Sequence, residues 1–163
     1  MSPQTKQQRH VAAGEWFFGR GDGYVRTLLG SCVAITLWHE ALRLGGMSHC
    51  LLPEPPAHRR QTDALYVQGA IASFRAALRQ YGARPEDCVA KLFGGGNMFP
   101  RQGARAGGDV GRRNVEAARF LLRKAGFVIK REHVGGYCHR AVVLDLNTGD
   151  TWLRACKPGE RPL

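Results

Sequence analysis

The stretch Leu28 to Pro53, LLGSCVAITLWHEALRLGGMSHCLLP, decides how the rest of the chain is read. It opens on a tight turn, Leu29-Gly30-Ser31-Cys32, and runs into Val33-Ala34-Ile35-Thr36-Leu37-Trp38. That run is apolar and rich in β-branched side chains, the composition of a strand covered on both faces. His39-Glu40-Ala41-Leu42 interrupts it. Arg43 to Leu52 then reads as a returning strand, with Gly45-Gly46 admitting a close neighbouring backbone.

If His39 to Leu42 is a four-residue hairpin loop, Trp38 faces Arg43 and Cys32 comes to lie opposite His49. Directly opposed residues share a face, with Cβ atoms ~4.5–5.5 Å apart. A thiol at a Gly-Ser turn beside an imidazole is the pattern of a cysteine nucleophile with a histidine base. A slip of one residue would separate the two onto opposite faces, so the reading depends on the loop. An isolated cysteine in an apolar strand is ordinarily core. It is the pairing with His49 and the turn at Gly30-Ser31 that give the catalytic reading its weight.

The chain has 163 residues, the length of one domain with a real core. No run of apolar residues is long enough for a transmembrane helix, and the N-terminus lacks an apolar signal core. Five cysteines, Cys32, Cys50, Cys88, Cys138 and Cys156, are scattered and form no C-x-x-C. They fit a reducing cytoplasm rather than a disulfide framework, and no metal or cofactor is expected. The net charge of +11 attracts polyanions or acidic protein surfaces, or serves solubility alone. No RNA-binding signature accompanies it, so nucleic acid is not expected as a partner.

Outward from the opening stretch, residues 1–12 read as a flexible tail, 13–156 as one domain and 157–163 as a second tail. Trp16-Phe17-Phe18 and Tyr24 to Leu29 are strand candidates. Val67, Ile71, Phe74, Leu78 and Tyr81 recur at helical spacing after an N-cap at Thr62 or Asp63, with Gly82 as C-cap. Cys88 to Phe93 is a strand that ends in Gly94-Gly95-Gly96. From there to Arg113 the chain is glycine-rich and basic and reads as a long functional loop carrying Arg101, Arg105, Arg112 and Arg113. The three glycines either cradle an anion or let backbone pack close to the cysteine turn, and packing is the reading adopted. Asn114 to Ala125 is the second helix, followed by strands at Phe127 to Val134, Ala141 to Leu146 and Thr151 to Ala155. Asn147-Thr148-Gly149-Asp150 turns the last pair. The sum is an α+β domain with mixed or antiparallel sheet and helices on its outer face.

Taken together, Leu29-Gly30-Ser31-Cys32-Val33-Ala34, Gly45-Gly46-Met47-Ser48-His49 with Leu52-Pro53, Gly94-Gly95-Gly96-Asn97-Met98-Phe99, Arg113-Asn114-Val115-Glu116-Ala117, and Gly135-Gly136 before Arg140 resemble the chemoreceptor glutamine deamidase family, CheD. The resemblance runs from about Gly14 to Ala155 with the motifs in family order. It implies a layered α/β/β/α sandwich of mixed sheets, related to toxin deamidases. It also implies a cytoplasmic hydrolase that converts selected glutamines of chemoreceptor helices to glutamate, through a cysteine thioester. The nucleophile would be Cys32 and the base His49. Thr27 is the nearest match to the family's third polar group, with Thr36, on the cysteine face of its strand, as the competitor read from the residues alone. Gly30 and Ser31 would shape the turn and oxyanion site, and the four arginines a rim for acidic receptor helices. A CheC-type phosphatase is a further partner that the resemblance implies. The rival classes are a non-catalytic adaptor using the same surface and a basic nucleic-acid module.

Overall fold

The computed structural model describes residues 6–98, 109–157 and 160. Among them it has nine strands, two α-helices and a single 3-10 turn, Pro85–Asp87, before the sixth strand. In chain order the strands and α-helices are β1 (Gln7–His10), β2 (Trp16–Gly19), β3 (Gly23–Leu29), β4 (Val33–His39), β5 (Leu44–Cys50), α1 (Val67–Gln80), β6 (Val89–Gly94), α2 (Asp109–Lys124), β7 (Val128–Val134), β8 (His139–Asp145) and β9 (Thr151–Cys156).

The strands form two mixed sheets, one ordered β1-β3-β8-β9 and the other β2-β5-β4-β6-β7. In the first, only β1 and β3 run parallel, and in the second only β6 and β7. β4 and β5 are buried along their whole length, which is what an unbroken apolar run demands. Alternation sends Val33, Ile35 and Leu37 to one side, onto Val67, Ile71, Phe74 and Leu78 of α1 and Val115, Ala118 and Leu122 of α2. It sends Ala34 and Met47 to the other side, onto Val25 and Leu29 of β3 and Val142 and Leu144 of β8. One sheet is therefore sandwiched between helices and a second sheet. The layered α+β sandwich is as expected. Both described helices lie on the same side, so the layers run helix, sheet, sheet, and no described helix supplies the outer layer of an α/β/β/α order. At Gly46 an added Cβ would lie 3.0 Å from the Phe17 carbonyl, so the expected close approach of backbone is that of β2.

The N-cap of α1 is Tyr66, with no side-chain cap bond, and not Thr62 or Asp63 as expected, and two further boundaries differ from expectation. Gln7–His10, expected in a loose tail, pairs with β3 as an exposed edge strand and leads to Val11 in the core. An edge strand held by backbone bonds needs no apolar alternation, so the sequence pattern is silent there. The second helix begins at Asp109, five residues before Asn114 (114 − 109), and places Arg112 and Arg113 on a helix rather than in a loop. Its apolar stripe starts only at Val115, which is why periodicity reads it late.

Candidate active site

The link from β3 to β4 crosses from one sheet to the other at an end of the sandwich. Gly30, Ser31 and Cys32 make that crossing, and all are half-buried. Each of their carbonyls is taken. Gly96 N–H donates to Gly30 O (3.0 Å) and Gly95 N–H to Cys32 O (2.8 Å). Asn114 Nδ2 donates to Ser31 O, a long contact of 3.4 Å. Among the described residues no turn or loop bond uses the N–H of Ser31 or Cys32.

The triple glycine makes this approach possible. Gly94 and Gly95 have φ of 109° and 66°, the region side chains avoid. A Cβ on Gly94 would run into the Cys32 carbonyl, and one on Gly111 of α2 would lie 2.5 Å from Gly95 O. The glycines thus serve close packing of the cysteine turn, the loop and the helix. Arg140, buried without a carboxylate partner among its described bonds, fastens the far side of the loop. Its Nη1 donates to Gly94 O (3.3 Å), Nη2 to Gly135 O (2.6 Å) and Nε to His133 Nδ1 (2.8 Å). Burial lowers its pKa from the usual arginine value.

His49 lies on β5 opposite Ala34, and Cys50 lies opposite Val33. The expected direct opposition of Cys32 and His49 is therefore not what forms. The four-residue loop is Glu40 to Arg43, closed by His39 opposite Leu44, with Arg43 at φ 56° completing the turn. Trp38 faces Gly45 instead of Arg43, a shift of two residues (45 − 43). Even shifts preserve the face, so Cys32 and His49 still look into the same space between the sheets, as diagonal neighbours. Among the described bonds none joins the Cys32 sulfur to the imidazole.

Thr27, on the inward face of β3, meets the ring from the other sheet. Its Oγ1 lies 2.8 Å from His49 Nδ1 and donates its proton to Val11 O at 2.6 Å. A hydroxyl has one proton to give. With that proton on Val11, the Nδ1–H of His49 donates to Thr27, and Nε2 is left with its lone pair. Thr36 is buried opposite Met47, two positions along β4 from the residue facing His49, and is not the ring's partner. Burial holds His49 below the usual imidazole range; bonding to the Val11 carbonyl offsets this in part, and His10 adds to the lowering. Burial pushes the Cys32 thiol up. Both shifts favour a neutral thiol beside a neutral imidazole, not a preformed ion pair.

Of the expected basic rim, Arg101 and Arg105 lie outside the described residues. Arg112 and Arg113 are exposed on α2, and Arg112 pairs with Glu116 at 3.9 Å. Arg112 lines a groove of about 410 Å³ with Gly95, Asn97, Arg119 and Tyr137. Two parts of the site escaped sequence reading. Val11 sits where no periodicity exists, and Asn114 reads as the polar start of a helix. The asparagine's place in a motif was the one signal available.

A half-buried thiol and an imidazole bonded to a buried hydroxyl lie at one end of a layered, two-sheet α+β sandwich. Sequence comparison supplies the particular family. A family model described as CheD chemotactic sensory transduction matches residues 51–155. "Probable chemoreceptor glutamine deamidase CheD 2" of Albidiferax ferrireducens is 44% identical over 147 residues, covering 89% of this chain and 85% of that protein. "Probable chemoreceptor glutamine deamidase CheD 3" of Dechloromonas aromatica is 38% identical, covering 93% and 89%. The namesake of Pseudomonas syringae pv. tomato is 38% identical, covering 88% and 86%. The chain belongs to the CheD family.

Proposed function

We propose that this protein is a hydrolase that deamidates glutamine side chains of chemoreceptors, with Cys32 as nucleophile and His49 as base. The substrate is taken from the names of its relatives. The observation that supports the chemistry is the Thr27–His49 bond, which leaves Nε2 as the proton acceptor. As the Cys32 sulfur bonds to the carboxamide carbon, its proton passes to Nε2. The developing oxyanion is met by the Cys32 N–H, with Ser31 beside it. Collapse breaks the C–N bond, and Nε2 returns the proton to the departing ammonia. Water then attacks the thioester and gives a proton to Nε2. The C–S bond breaks, that proton returns to sulfur, and glutamate leaves. The resting thiol is protonated, so His49 acts during the attack and not before it.

Receptor helices are the proposed partner, with the basic surface aiding encounter in a salt-sensitive way. A CheC-type phosphatase is a second proposed partner, and the cytoplasm the proposed site of action. No described helix is long and apolar enough to cross a membrane. The alternative, a non-catalytic adaptor, draws on the absence of a thiol–imidazole bond among the described contacts. The deciding experiment incubates a receptor cytoplasmic fragment with the protein in ¹⁸O-water and follows glutamine peptides by mass spectrometry. Amide-to-acid conversion with label is expected, falling to background for Cys32→Ala in a protein that still melts cooperatively. Undiminished conversion by Cys32→Ala would sink the thioester route, and its absence in both would favour the adaptor.

A further inference from the structure

The ladder between β4 and β5 ends at the pair Val33–Cys50. Beyond that rung the two chains carry Cys32 on one side and Leu51 on the other, and a side chain from α2 takes over. Asn114 is fully buried, and its Nδ2 donates to Leu51 O at 2.8 Å and reaches Ser31 O at 3.4 Å. Ser31 precedes Cys32 directly, and Leu51 follows His49 by two residues (51 − 49). One amide group thus spans the two chain ends that carry the thiol and the imidazole. The bond to Leu51 is short and fixes the His49 side; the one to Ser31 is long and restrains the cysteine side more loosely.

The other half of the same side chain argues against a purely stabilising role. Asn114 Oδ1 is buried and has no hydrogen-bond partner among the described residues. Burying an acceptor unpaired costs stability, a cost that a leucine of the same branched shape would not incur. What an apolar side chain could not supply is the pair of donors.

We propose that Asn114 is a positioning residue for the reaction given above: by tying Ser31 to Leu51 it sets the separation of Cys32 and His49. It touches neither substrate nor reacting atoms. The proposal rests on the Cys32–His49 reading, but one of its tests needs no substrate. Asn114→Leu fills the site and removes both donors, while Asn114→Ala removes them and leaves space. For each variant we would measure the melting midpoint, kcat and KM on the receptor fragment, and the pH profile of Cys32 alkylation by iodoacetamide, resolved by peptide mass spectrometry. Cys50 and Cys88, pushed up to about 12, will not compete for reagent near neutral pH.

A folded Asn114→Leu protein is expected, with KM within about twofold of the parent, kcat lower by roughly 10- to 100-fold, and a displaced alkylation profile. The magnitude follows from the steep dependence of rate on placement of reacting groups. Parental kcat and a parental alkylation profile in either folded variant would overturn the proposal. So would loss of folding in both, since the role would then be structural. If the unaltered protein deamidates nothing, the proposed function falls, while the alkylation profiles still decide whether Asn114 governs the thiol.

Discussion

The two ends of the β4–β5 hairpin are held in opposite ways. At the loop end the contacts are mostly local. Arg43 N–H donates to Glu40 O (3.3 Å), Leu42 N–H to His39 Nδ1 (3.2 Å) and Trp38 Nε1 to Glu40 Oε2 (2.6 Å). At the open end almost nothing is local. The turn at Gly30 to Cys32 is gripped by Gly95 and Gly96 from after β6 and by Asn114 from α2, and His49 is gripped by Thr27 from the other sheet. Thr27 is itself tied to Val11. Cys32 and His49, the proposed reacting groups, sit where distant segments converge, so their geometry is set by the whole fold and not by the hairpin that carries them.

That contrast can be broken most severely at Gly94. Alanine there needs a backbone angle side chains avoid and drives its Cβ into the Cys32 carbonyl. A loss of about 2–4 kcal/mol is expected from strain and overpacking together. Denaturant unfolding measures it, and deamidation should fall even in the fraction that stays folded. A Gly94→Ala protein of parental stability would show that the loop has room to yield and that its grip on the turn is slack.

A smaller effect is expected at Thr27. Valine keeps the volume but deletes the hydroxyl, removing the group that bonds both Val11 O and His49 Nδ1. The stability cost is about 1–3 kcal/mol. With the ring free to turn, kcat should drop on the order of 100-fold. A Thr27→Val protein with full kcat would show that the tautomer is set by something else. The unaltered protein sharpens the same point through pH. His49 is held below the ordinary imidazole value of about 6.5, so its neutral form persists as pH falls past that value. The acid limb of kcat/KM should therefore lie below about 6.5. The folded state, which resists protonation there, should lose stability as pH falls from about 6.5 through the lower folded value. Alkylation of Cys32 should still be rising on the alkaline side, because its thiol is pushed up. A thiol already fully reactive in mild acid would instead mean a standing ion pair.

The same contrast explains what could be read from the chain before its fold was known. The helix stripes of Val67–Leu78 and Val115–Leu122, the β8–β9 turn at Asn147 to Asp150 and the fully buried β4 are local patterns, and they were legible. The shared face of Cys32 and His49 was legible too, because strand parity survives a slip of two. The register itself was not, since it turns on Arg43, a non-glycine residue, adopting a positive φ. Nor were β1, the start of α2 at Asp109 or the reach of Asn114, each of which depends on partners remote in sequence. The family match over residues 51–155 begins just past His49, so it names the family without reaching Cys32 or His49.

The loop end supplies the mildest test. Glu40 accepts from Trp38 Nε1 and pairs with Arg43 at 3.3 Å, with both charged side chains largely exposed. Exposed pairs of this kind contribute little, because water and salt already screen them. The indole bond adds roughly what one ordinary hydrogen bond does. Glu40→Ala should therefore cost only about 0.5–1 kcal/mol. More tellingly, kcat and the Cys32 alkylation profile should stay at parental values, since the register is also enforced along the ladder through His39–Leu44 and Trp38–Gly45. If loosening this loop slows the reaction as much as losing Thr27 does, the hairpin transmits its geometry end to end, and the site is not the product of converging distant segments.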